Sequence, residues 1–171
     1  MPGLSDLTMQ PQGDHTEWCW ACVTASVFQF FDGKSYTPQE IVSQSLKNPT
    51  CADDSTPDAC NCPWPIEWAL DHHFSPPSQG QLTFDDLQQQ TENLQRPVVI
   101  MVTYQAAAGS ADVDINHYCL VKVCTVMNGV QEVTILDPLR PEPCEYQIPY
   151  PALCAGDVNG ALWTQTFLTS P

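Results

Sequence analysis

The chain has 171 residues, 43% of them apolar, enough for one ordinary domain with a real core. Five basic residues stand against 20 acidic ones, and a formal charge of -15 excludes a phosphate-tracking surface, so nucleic acid is not an expected partner. Nine cysteines indicate an oxidising destination, and the odd count leaves one sulfur free if disulfides take the other eight. No apolar run approaches the length of a membrane span, and the first 30 residues lack a basic start followed by an apolar stretch. The expectation is a secreted, monomeric chain that does not insert into membranes, exported with a signal removed before this numbering or by another route.

Helices are predicted first. Asp14 followed by Glu17 reads as an N-terminal cap, after which apolar residues recur from Trp18 through Ala21, Cys22, Ala25 and Phe28 to Phe31, and Gly33 stops the helix. Thr37-Pro38-Gln39-Glu40 starts a second helix carrying Ile41, Val42 and Leu46. Residues 48 to 65 are too polar to bury and read as a loop pinned by Cys51, Cys60 and Cys62. A third helix is predicted from Pro65 to His72, and a fourth is capped by Thr83 to Asp86 and ends before Arg96-Pro97.

Strands follow. Residues 98–104, 117–126, 130–136, 144–148 and 162–168 are β-branched or aromatic runs between turns. The order predicts a single α+β domain over 1–171, with a helical lobe at 1–96 packed on an antiparallel β-sheet lobe at 97–171 and the site in the cleft between them.

Asn128-Gly129 between two strand runs signals a hairpin, and a two-residue turn there would pair residues whose numbers sum to 257. The inward residues look odd-numbered on both strands: His117, Cys119, Val121 and Val123, then Val133, Ile135 and Asp137. Cross-strand partners share a face, so a three-residue loop with a sum of 256 is expected. Asp137 then lies opposite Cys119, with His117 its diagonal neighbour within reach of a carboxylate.

Trp18-Cys19-Trp20-Ala21-Cys22 admits two chemistries. Trp-Cys-x-x-Cys is a thioredoxin-like redox signature, but that motif follows a buried strand, and residues 8 to 17 are too polar to form one. A zinc site from Cys51, Cys60, Cys62 and His72-His73 lacks paired knuckle spacing, so neither a metal nor a cofactor is expected. Trp18, Trp20, Tyr118 and Trp163 read as core residues ahead of cleft walls. His15, His72 and His73 read as surface or capping residues.

Four places in chain order complete the pattern: a glutamine-containing loop at Gln10 to Gln12, Cys19-Trp20-Ala21 at a helix start, Asn116-His117-Tyr118 opening a strand, and Leu136-Asp137-Pro138 closing the next. Together they resemble the papain-like cysteine peptidases, most closely the bacterial branch similar to double-glycine leader peptidases and to secreted effector proteases of plant pathogens. The resemblance implies a papain-like fold, a protein or peptide substrate, Cys19 as nucleophile, His117 as proton shuttle and Asp137 as the group that orients the imidazole. A helix N-terminus and an adjacent imidazolium both favour a thiolate. The resemblance also implies an oxyanion hole built from the Cys19 N–H and a glutamine. Relatives often carry it six residues before the cysteine; here that position is Gly13, and Gln12 takes the role.

In this reading Cys19 is the odd, free sulfur, and Cys22 pairs with Cys60 or Cys62 to anchor the helix. Cys119, Cys124, Cys144 and Cys154 could form two bridges, although Cys119 faces inward. The same triad would also serve glutamine deamidation or acyl transfer, and a catalytically silent, disulfide-stapled binding module is the alternative of a different class.

Overall fold

The five β-branched or aromatic runs and one further edge strand form a six-stranded, open antiparallel sheet in a computed structural model that describes residues 3–53, 58–106, 113–156 and 160–171. Its strands are β1 (Phe74–Gln79), β2 (Val98–Tyr104), β3 (Ile115–Met127), β4 (Val130–Leu136), β5 (Glu145–Pro149) and β6 (Leu162–Thr169), in the order β1-β6-β2-β3-β4-β5. The helices are α1 (Cys19–Asp32), α2 (Pro38–Ser45), α3 (Ile66–Leu70), α4 (Phe84–Gln88) and α5 (Tyr150–Ala155). Among the described residues, no helix is long and apolar enough to cross a membrane.

Local chemistry sets most of these boundaries. Thr37 and Glu40 form a reciprocal capping box at α2, and the Thr83 hydroxyl accepts the Asp86 N–H at α4, as their spacing predicts. Gly33 ends α1 in the left-handed conformation. The start of α1 differs from expectation. Trp18, not Asp14, is the N-cap, and no side chain caps the first turn. Its foremost N–H groups are therefore left for another acceptor.

Two elements escape the sequence pattern. β1 contains Pro76 and Pro77, which argue against a strand, yet it lies at the sheet edge and its pairing with β6 is irregular between Ser75 and Gln79, where missing donors cost little. α5 is a six-residue helix between β5 and β6, ended by left-handed Gly156. Of the expected loop at 48 to 65, positions 54–57 lie outside the described residues.

Both faces of the sheet are buried. One carries Val99, Leu120, Leu136 and Phe167 against α1, α2 and α3, while the other carries Ile100, Val121, Val133 and Ile135 against Phe84, Leu87 and Leu153 of α4 and α5. The helices of the first 96 residues thus divide between the two faces of the sheet.

The hairpin between β3 and β4 reaches its expected register by a different route. Met127 pairs with Val130 across a two-residue turn in which Asn128 and Gly129 both have positive φ, 54° and 81°, and the pairs sum to 257 as far as Val123 and Thr134. A bulge then leaves Lys122 unpaired, and from Val121–Ile135 to Leu120–Leu136 the sum is 256. The expected three-residue loop does not form: the turn is the two-residue one, and the even sum near Asp137 comes from one extra residue inside β3. The inward residue beyond the bulge is Cys124 rather than Val123, and Lys122 is held by Glu145 at 2.8 Å.

Candidate active site

Continuing the 256 register places Asp137 across from Cys119, and the side chains meet as that predicts. An imidazole nitrogen of His117, the Cys119 sulfur and a carboxylate oxygen of Asp137 lie within 4.8 Å of one another. His117 Nε2 and Asp137 Oδ1 are 2.7 Å apart, with both residues buried. β4 ends opposite Leu120, so on that side His117 meets the chain leaving β4 instead of a strand.

Asp137 is fixed from several directions. Its Oδ1 also accepts the Leu139 N–H at 2.9 Å, its backbone N–H donates to Cys144 O at 2.8 Å, and Arg140 Nε stands 3.9 Å from Oδ2. Burial alone would raise its pKa, but the His117 hydrogen bond and charge, the Leu139 N–H and Arg140 outweigh that and lower it. Burial likewise disfavours the imidazolium of His117. The neighbouring Cys119, the bond to Asp137 and hydrogen bonds to Cys119 and Cys19 reverse the balance and raise its pKa.

Cys19 is the first residue of α1, 7% exposed, and stands among the groups that raise the His117 pKa, after Cys119 and Asp137. The two tryptophans around it position the helix start. Trp18 Nε1 donates to Cys60 O at 2.8 Å and Trp20 Nε1 to Cys62 O at 3.0 Å. The ring of His15 stacks on Trp18 with centroids 3.7 Å apart. Trp18, Trp20 and Trp163 are core residues, as expected, and Trp20 also reaches the cleft.

The disulfide pattern departs from expectation. Cys51 and Cys60 are bonded to each other, closing the loop on itself, so Cys22 has neither Cys60 nor Cys62 as a partner. Cys22 is fully buried and its thiol pKa is raised by that burial, then by Cys19 and Cys144. Cys119, Cys124, Cys144 and Cys154 are free as well, and Cys19 is therefore not the lone free sulfur. What ties the loop to α1 is the pair of indole hydrogen bonds. Cys51 and Cys60 being oxidised also removes them from any zinc set.

Gln12 comes to the same corner. Its backbone N–H donates to Pro138 O at 2.9 Å, next to Asp137, and its buried carboxamide donates from Nε2 to His15 O at 2.8 Å. One amide proton remains uncommitted. His73 differs from the expected surface or capping role: it is buried, bonded to Ser170 O at 2.9 Å and to Asp32 at 3.2 Å.

Cys19 opens onto a cleft of about 590 Å³ between the start of α1, the segment 63–67 and the sheet. Trp20, Trp64, Tyr118 and Phe167 form its walls, with Glu17 and Glu67 among its lining. A second cavity of about 530 Å³, near Met9, Ser26 and Tyr36, contains none of the Cys19, His117 and Asp137 group. Cys119 and the cleft residues of 63–67 were not singled out for the site from the sequence. Cys119 had a usable signal, standing two positions after His117 on the same strand face; Trp64 and Glu67 had none, because only folding brings them to α1.

Among the described residues, fold and site together define an α+β protein with one disulfide, a buried His117–Asp137 pair and a cleft lined by Cys19. No protein-family model matches the chain, and no curated protein matches it.

Proposed function

We propose that the protein is a secreted cysteine peptidase of papain-like fold, hydrolysing peptide bonds through Cys19, His117 and Asp137. The observation that carries this reading is the 2.7 Å His117–Asp137 bond, with Cys19 at the uncapped N-terminus of α1 among the groups that raise the His117 pKa. A buried carboxylate that holds one ring nitrogen sets the tautomer and leaves the other for the thiol. A redox role needs a second accessible thiol, and Cys22 is fully buried.

In the proposed reaction the Cys19 thiolate attacks the carbonyl carbon of the scissile bond. The oxyanion is met by the Cys19 N–H and the remaining amide proton of Gln12. His117 gives its proton to the departing amine, leaving a thioester on Cys19. His117 then takes a proton from water, whose oxygen attacks the thioester, and the acid is released with the thiol regenerated. The reaction needs no cofactor.

The test is alkylation against exposure. Cys62 and Cys154 are more exposed than Cys19. Iodoacetamide is expected to modify Cys19 at least tenfold faster than either, and modification is expected to abolish cleavage of an unfolded protein substrate. Labelling that merely follows exposure would sink the proposal. Selective labelling without peptide cleavage, accompanied by glutamine-to-glutamate conversion in test peptides, would move the reading to a deamidase.

A further inference from the structure

Building on the peptidase reading, we infer that the cleft beside Cys19 selects peptides with an arginine or lysine flanking the scissile bond. Glu17 and Glu67 both line the cleft and both are half-buried. Neither enters an ion pair among the described residues. The chain has five basic residues, and none lines this cleft. Lys122 is engaged by Glu145, Arg140 lies over the Tyr146 ring beside Asp137, and Lys34 lies over Tyr36.

The walls suit a long cationic side chain. Half-buried Trp64 and Tyr118 present the cleft's accessible rings, with buried Trp20, 6.4 Å from Trp64 between ring centroids, and buried Phe167 behind them. Aromatic faces attract a cation within about 6 Å, and the methylene stem of arginine or lysine packs on the same rings while its head reaches a carboxylate. A neutral apolar side chain would fill the walls but leave two carboxylates desolvated and unpaired. A glutamate would add a like charge to them. Tyr118 lines the cleft together with Cys19 and Glu67, and its phenol is pushed up to about 12 by burial, then by those two groups.

The experiment is a digest of a mixed synthetic peptide pool by the full chain, with the residues around each cut bond identified by mass spectrometry. Arginine and lysine are expected at one flanking position at least fivefold above their frequency in the pool, with aspartate and glutamate depleted. In Glu17→Gln/Glu67→Gln that enrichment should fall below twofold. Enrichment that is absent, or that survives unchanged in the double variant, would overturn the inference. If the wild type cuts no bond, the peptidase reading fails by itself. Calorimetry with Cys19→Ala then decides the cleft: binding of an arginine peptide tenfold more tightly than its norleucine counterpart supports the inference, and equal binding refutes it.

Discussion

His117 Nε2 donates to Asp137 Oδ1 across 2.7 Å, joining two residues 20 positions apart through a hairpin whose register is corrected by one bulged residue, Lys122. The bond has a kinetic consequence. Asp137→Asn keeps the shape but favours the wrong tautomer, and kcat should fall by about 10³ to 10⁴. Cys19→Ala and His117→Ala should each abolish turnover, and adding Asp137→Asn to either should cost almost nothing more, because in the proposed mechanism the three act as a unit. A double variant markedly worse than Cys19→Ala would show that the residues act separately.

Stability should carry the signature of the same pair. The folded pKa of Asp137 lies below its ordinary 3.8, so its contribution is present above that pH and is lost as pH falls through the lowered folded value. The folded pKa of His117 lies above its ordinary 6.5, so its contribution is complete below 6.5 and is lost only as pH rises toward the raised folded value. Urea midpoints of wild type and Asp137→Asn, measured from pH 2 to 7, should differ most near pH 5 to 6 and converge in acid. A constant gap would contradict the linkage.

In the proposed mechanism Cys119 is a positioning residue: its sulfur lies within 4.8 Å of the His117 nitrogen and the Asp137 oxygen. Burial pushes its own thiol up to about 11, so it stands neutral beside the imidazolium, and in Cys119→Ala the imidazolium should lose that partner and give up its proton at lower pH. The basic limb of the pH–rate profile should then move to lower pH while kcat at the optimum falls less than tenfold. A profile that loses height without moving would assign Cys119 to packing alone.

The Cys51–Cys60 disulfide closes a loop with a sequence separation of 9. Removing it with Cys51→Ala/Cys60→Ala should cost about 2 to 3 kcal/mol of stability, read from urea unfolding. Activity should fall too, because Trp18 and Trp20 hang the start of α1 on the carbonyls of Cys60 and Cys62. Full activity in the folded double variant would show that the indole bonds do not depend on the bridge.

Gln12→Ala should lower kcat by about 10² to 10³, the usual cost of losing one oxyanion donor, with KM little changed. A loss below threefold would return Gln12 to a purely structural role at His15 and Pro138.

Local signals carried far in this chain. The Thr37 and Thr83 caps, the Gly33 stop, the Asn128-Gly129 turn and the long β-branched runs each rest on neighbours within a few positions, which is why the sequence alone determined most elements and the α+β class. Strand periodicity also put His117 and Asp137 on one face, but the register rested on a three-residue loop that does not form; the bulge at Lys122 supplies it instead. Tertiary structure decided the rest. Whether Cys60 bonds Cys51 or Cys22 depends on where a polar loop settles, and composition does not say. β1 forms because an edge tolerates its prolines, and the cleft exists because Trp64 and Glu67 arrive beside Cys19 from more than 40 positions away. Those contacts are set by long-range packing and side-chain geometry, for which residue spacing has no counterpart.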